Sequence, residues 1–129
     1  MIFRVFNRNN DVEIPIHFYY LISMVNLNTI KDVARCIGDK ANAKAVILFG
    51  SYARGQAKKT SDVDFLVIAE SNLPRFKRSR ELYKLFKPYP FGMDILVYTP
   101  AEVEKDSKNP LSFIYTVLQE GKKVYAGRN

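Results

Sequence analysis

The sequence predicts a single α/β domain of the α+β kind, a small mixed β-sheet with helices packed largely on one face. Three observations lead there. Continuous apolar runs of strand length stand at Ala45–Phe49 and Phe65–Ile68, and Gly92–Tyr98 reads as a third strand. The stretches around them carry apolar residues at helical spacing, with caps at their ends. At 129 residues and 47% hydrophobic, the chain has material for one core spanning 1–129 and not for two, and no repeat or low-complexity linker divides it.

Taken in order, Val12, Ile14, Ile16 and Phe18 alternate with Glu13, Pro15 and His17, and the turn-rich Asn7-Arg8-Asn9-Asn10-Asp11 precedes them. Residues 1–25 are therefore expected to be an amino-terminal extension in which Ile2–Phe6 pairs with Val12–Phe18 as a hairpin, packed onto the domain. Pro15 has no N–H to donate, which makes the second arm an edge strand. His17, the one histidine, reads as a surface or packing residue, and Phe18-Tyr19-Tyr20 as core. Asn28 is placed to cap a helix through Ile30, Val33, Ala34 and Ile37 that Gly38 stops, with Cys36 packing beside its apolar face.

Beyond the first apolar run, Tyr52–Gln56 has the length of one helical turn. Asn72-Leu73-Pro74 opens a helix expected to reach Phe86, with Phe76, Leu82, Tyr83 and Phe86 as its stripe and Pro88 beyond its end. Arg75, Lys77, Arg78, Arg80, Lys84 and Lys87 make it the most basic segment, read as a solvated face. Thr99-Pro100-Ala101-Glu102 is a capping box. Asn109-Pro110 is expected to open a last helix carrying Leu111, Ile114, Tyr115, Val117 and Leu118 on one face and stopped by Gly121. Lys122–Tyr125 then closes the chain as a short edge strand.

The chemistry gathers between Ala45 and Val67. Gly50-Ser51 ends one apolar run with a turn that a phosphate can approach closely. After ten intervening residues Asp62-Val63-Asp64 opens the next run, and in a strand two such carboxylates project from one face. They make poor core and good ligands for a hard cation such as Mg²⁺. This pattern resembles the signature of the DNA polymerase β-like nucleotidyltransferase superfamily, in its minimal nucleotidyltransferase branch. The resemblance implies the nucleotidyltransferase fold, with Gly50 and Ser51 holding a nucleoside triphosphate. It also implies two Mg²⁺ ions on Asp62 and Asp64, and a third acid on a neighbouring strand, where Asp94 stands. Arg54 matches a position that supports the triphosphate or an acid, and Ser61 is placed to orient one of the carboxylates. Bringing Gly50-Ser51 to Asp62 requires the first two strands to be antiparallel, and Asp94 at the start of the third requires that strand to run parallel to the second. The basic segment supplies the crossover.

A net charge of +7 favours polyanionic ligands such as ATP, RNA or an acidic protein. Cys36 is alone, so no intrachain disulfide forms, which suits a reducing cytoplasm. No run approaches the ~18 apolar residues of a membrane span, and no membrane partner is expected. The resemblance implies an enzyme that moves a nucleotide, AMP from ATP foremost, to an acceptor hydroxyl, and an antitoxin that AMPylates a HEPN-type toxin. A second reading keeps the fold as an idle module whose basic surface binds RNA or a protein. It ranks lower, because a pure binder gains nothing from clustered carboxylates.

Overall fold

The structure, a computed structural model, describes the backbone of residues 2–6 and 11–15 and all of residues 25–128. Strands β1 (Ile2–Phe6) and β2 (Asp11–Pro15) pair antiparallel, with Ile2 opposite Pro15 and Phe6 opposite Asp11, in a two-stranded sheet of their own. The second arm begins one residue earlier than expected. Its continuation to Phe18, His17 and the Phe18–Tyr20 run lie outside the described residues.

The main sheet has four strands, β3 (Ala45–Phe49), β4 (Val63–Ile68), β5 (Met93–Tyr98) and β6 (Lys122–Ala126), in the order β5-β4-β3-β6. β4 and β6 run antiparallel to β3, and β5 runs parallel to β4. These are the directions that the Gly50-Ser51 and Asp62/Asp94 placement demanded. Alternation along the strands divides the apolar residues between two faces. Val46, Leu48, Val63, Phe65, Val67, Met93, Ile95 and Val97 join Ile30, Val33, Ala34 and Ile37 of helix α1 (Leu27–Ala41) in the larger cluster. Ile47, Leu66 and Tyr98 join Ile114 and Val117 in a smaller one, with Val103 packed against it. Helices are expected largely on one face; α1 covers that face, and α3 (Pro100–Ser107) and α4 (Phe113–Glu120) pack on part of the second, so both faces carry helices.

Helix α1 departs from expectation at both ends. Asn26, not Asn28, is its cap: the Asn26 Oδ1 accepts from the Thr29 amide at 2.9 Å. Gly38 does not stop it. The helix runs on to Ala41, and Asn42 ends it in the left-handed region at φ 49°. Gly38 serves instead as a gap, because a Cβ there would overlap the Tyr125 ring, whose hydroxyl donates to Asp39 at 2.8 Å. Gly38→Ala is therefore expected to lower stability by about 1–2 kcal/mol, although alanine is the better helix former. Urea denaturation checks this, and the loss should vanish or reverse in a Tyr125→Ala background. Cys36 is exposed, so it is not a packing residue.

The crossover between β4 and β5 is not one helix. A 3₁₀ turn at Arg75–Lys77 and the four-residue α2 (Arg80–Tyr83) replace the expected Asn72–Phe86 run. Like charges three or four apart (Arg75 and Arg78, Arg80 and Lys84) weaken a continuous helix. Arg78 also folds inward, donating to the Leu73 and Val97 carbonyls at 2.9 and 3.2 Å and to Glu102 at 2.6 Å. Leu82 is buried, while Phe76 is 72% exposed, so the expected stripe is only partly used. The capping box at Thr99 and Glu102 is present in both directions. Helix α4 starts at Phe113 rather than at Pro110: Asn109 closes a turn by accepting from the Leu111 amide, and Ser112 caps the helix. Leu111 is consequently 94% exposed instead of facing the sheet. No helix among the described residues is long and apolar enough to cross a membrane.

Candidate active site

At the end of β3 the chain enters a tight turn. Gly50 takes φ +74°, and the Asp64 carboxylate lies where its Cβ would be. The Gly50 and Ser51 carbonyls point into the turn, accepting from the Arg54 and Gln56 amides at 3.1 and 2.9 Å. As in the first turn of a helix, the amides at the start of such a turn are directed outward, toward an incoming anion. The expected helical turn at Tyr52–Gln56 is this single wide turn rather than a regular helix.

Sheet register aligns the acids. Phe49 stands opposite Asp64, and Asp64 opposite Asp94, so the end of β3, β4 and β5 contribute one row across the sheet. At a strand spacing of about 4.8 Å this is a continuous strip of carboxylate beside the turn. Asp62, one strand period before Asp64, lies against Gly92, where a Cβ would meet its Oδ1, and the Val63 amide donates to the Gly92 carbonyl at 2.9 Å. Asp62 and Asp94 are exposed and Asp64 is half-buried.

Burial, the charge of Asp94, a shared hydrogen bond with Asp94 and the charge of Asp62 raise the Asp64 carboxyl to about 6, with Arg54 pulling the other way. Such an uncompensated pair fits a divalent cation, which would remove the repulsion and use the oxygens as hard ligands. Among the described residues no three His, Cys, Asp or Glu side chains converge on one point. The donor set is instead open, two facing carboxylates with the third turned toward Gly92. That suits Mg²⁺, usually held by one or two carboxylates and completed by substrate phosphate and water.

Arg54 is exposed; its Nε donates to Gln56 at 3.2 Å and its guanidinium pairs with Glu120 at 3.4 Å. Its positive charge acts on Asp64 from beside the turn. Ser61 does not touch a carboxylate hydrogen bond in this geometry: its Oγ accepts from the Lys58 amide at 2.8 Å, closing the loop ahead of Asp62.

Residues 30–126, the whole sheet with its turn and acids, match the nucleotidyltransferase domain family. The chain belongs to that family. It is 37% identical over 94 residues to "Putative protein adenylyltransferase MJ0141" of Methanocaldococcus jannaschii, covering 73% of this chain and 89% of the relative. A solved nucleotidyltransferase structure from Sulfolobus solfataricus, described as putative, shares the fold at TM-score 0.56 and 20% identity, covering 84% of this chain and 86% of that one. A second solved structure, a toxin-antitoxin with AMP-PNP, shares it at TM-score 0.51 and 23% identity, over 81% and 76%.

Two parts of this nucleotidyltransferase escaped sequence reasoning. Glu120 reaches Arg54 across 66 positions, and no local pattern announces such a pair. Tyr83 covers the outer edge of β5, where its hydroxyl accepts from the Ile95 amide at 2.8 Å beside Asp94. The sequence shows Tyr83 only as part of a helical stripe. Burial, aided by Asp94 and Asp62 and opposed by that amide, raises its hydroxyl pKa.

Proposed function

We propose that this nucleotidyltransferase uses Mg²⁺ to transfer AMP from ATP to a hydroxyl on a protein partner, a HEPN-type toxin being the leading candidate. The observation that carries the reading is the row of Asp64 and Asp94 beside the Gly50-Ser51 turn, with Asp62 at its flank. Gly50 and Ser51 offer backbone amides and a hydroxyl to the β- and γ-phosphates. Asp64 and Asp94, the facing pair, with Asp62 at their flank, would hold the cations. Asp94, on the outermost strand, faces the arriving acceptor and takes its proton as the hydroxyl oxygen attacks the α-phosphorus and pyrophosphate leaves. When bound, Mg²⁺ would stabilise the charge that develops on the attacking and leaving oxygens. Arg54, anchored on Glu120, moderates the charge on Asp64, and Ser61 fixes the loop that delivers Asp62.

The protein acceptor is supported by the 37% identical relative named as a protein adenylyltransferase, and the toxin by the toxin-antitoxin neighbour with AMP-PNP. The basic crossover supports RNA less well than its composition suggests. Arg75 and Arg78 pair with Glu102, and Lys84 with Glu81, so three of its charges are partly spent within the fold. Incubation with a HEPN-type partner, labelled ATP and Mg²⁺ is expected to label the partner and add mass in AMP units. Label on RNA alone, or label on the partner that persists when Asp62, Asp64 and Asp94 are each changed to Asn, would overturn the proposal.

A further inference from the structure

We infer that Phe113, together with Leu96 on the same sheet face, is the seat of the nucleoside of the triphosphate, a reading that rests on the transfer chemistry proposed above. Phe113 is 45% exposed and Leu96 37% exposed, although both lie on the sheet face that also carries the acids. Leu96 follows Asp94 by two positions on β5, so it shares the Asp94 face at about 7 Å along the strand. Phe113, the first residue of α4, is held edge-on by Phe49 at 5.4 Å and 79° and against Tyr98 at 6.4 Å and 41°. Phe49 is the residue opposite Asp64 and directly precedes Gly50. The Phe113 ring is therefore fixed by two aromatic neighbours behind the carboxylate row, with much of its surface open to solvent.

The reaction says what that surface is for. In an in-line displacement the leaving pyrophosphate and the attacking hydroxyl occupy opposite apical positions on phosphorus, and the nucleoside oxygen is equatorial. With the β- and γ-phosphates at Gly50-Ser51 and the acceptor arriving at Asp94, the apical line runs along the row from β3 to β5. The nucleoside must leave roughly at right angles to that row. Across the sheet surface that direction runs along the strands, from Asp64 and Asp94 toward Leu96 and Phe113. A rigid aromatic ring on that side of the row suits stacking by a base, and a purine covers it better than a pyrimidine.

Calorimetry can separate the nucleoside seat from the phosphate seat by using Mg-ATP and Mg-tripolyphosphate as parallel ligands. Phe113→Ala is expected to weaken Mg-ATP about tenfold or more and leave Mg-tripolyphosphate within twofold. Phe113→Tyr should keep both within about threefold. Phe113→Leu, which keeps apolar volume and guards against unfolding, should resemble Phe113→Ala, with thermal melts confirming that each variant is folded. Unchanged ATP affinity in folded Phe113→Ala and Phe113→Leu would overturn the inference. So would equal weakening of both ligands, which would make the ring a mere prop for the Gly50 turn. Intact ATP binding with lost transfer to the protein partner would overturn it too, assigning the surface to the acceptor. If neither ligand binds the wild type, or both bind Asp64→Asn as well as wild type, the transfer reading itself fails, and the nucleoside seat with it.

Discussion

Asp64→Asn is expected to abolish nucleotide transfer and, in metal-free protein at pH 7, to raise the melting temperature. The two effects have one cause. Asp64 sits half-buried near Asp94 and Asp62, and burial together with their charges raises its carboxyl from the ordinary 3.8 to about 6. Between those values the folded protein holds a proton that the unfolded chain has released, so folding stability falls as pH rises from about 4 to 6 and stays reduced above that. After allowance for solvent screening at a half-open site, the cost is about 1 kcal/mol. Asn carries no charge and can donate to Asp94, so the variant recovers that amount, worth roughly 3–6 °C in a domain of this size. On the proposed function the same change removes a cation ligand, and a transfer rate lower by about 10³-fold or more is expected. Melts of wild type and variant at pH 4 and pH 7, with and without Mg²⁺ and ATP, check both halves. A gain at pH 4 equal to that at pH 7 would show that repulsion is not the cause.

Gly50→Ala should be nearly as damaging to activity, and it should lower stability instead of raising it. Alanine at φ +74° costs about 1 kcal/mol, and its Cβ would fall on the Asp64 carboxylate. Either the carboxylate turns away from Asp94 or the turn opens, and each outcome displaces the phosphate seat from the acids. A loss in Mg-ATP affinity of about 10²-fold is expected, a size in keeping with a displaced cluster of charge-assisted contacts. Gly55→Ala is the control. Its φ is +69°, the same backbone penalty, but a Cβ there meets nothing within 4 Å. That variant should lose comparable stability and keep ATP binding, as calorimetry beside thermal melts would show.

What could be read from the chain and what could not follows the range of the interactions. The strands β3, β4 and β5 were legible because their buried positions come from short apolar runs, in β4 and β5 broken only by the single acids Asp64 and Asp94. Their directions were legible because the Gly50-Ser51 turn and the acids had to meet. The Thr99–Glu102 box and the Gly121 stop are local chemistry and stand where they were expected. The failures have remote partners or near-equal local rivals. Gly38 looks like a helix stop until Tyr125, on another element, is seen lying on it. The crossover looks helical until Arg78 is seen bound to Val97 and Glu102, elements later in the chain. Asn26 and Asn28 are both competent caps, as Asn109-Pro110 and Ser112 are both competent starts, and tertiary packing chose between them. For the candidate site, residue types and spacing pointed to Gly50, Ser51, Asp62, Asp64 and Asp94; the structure sets Asp64 against Gly50 and opposite Asp94, and Asp62 apart from them against Gly92. The pairing of Arg54 with Glu120 and the inward engagement of Ser61 with Lys58 are geometry that spacing does not encode.

The Phe49–Asp64–Asp94 row also governs which changes of chain length this domain can absorb. Because side chains alternate sides along a strand, inserting or deleting one residue between Asp64 and Leu66 would turn Asp64 toward the Phe65 and Val67 side, into the main core, and bring an apolar residue to the side that carries Asp94. The same insertion in the Ser51–Asp62 loop, or in the broken crossover before Gly92, leaves the alternation untouched. Descendants of this chain are thus free to lengthen and diversify around the chemistry, while the spacing of residues inside three short strands stays locked.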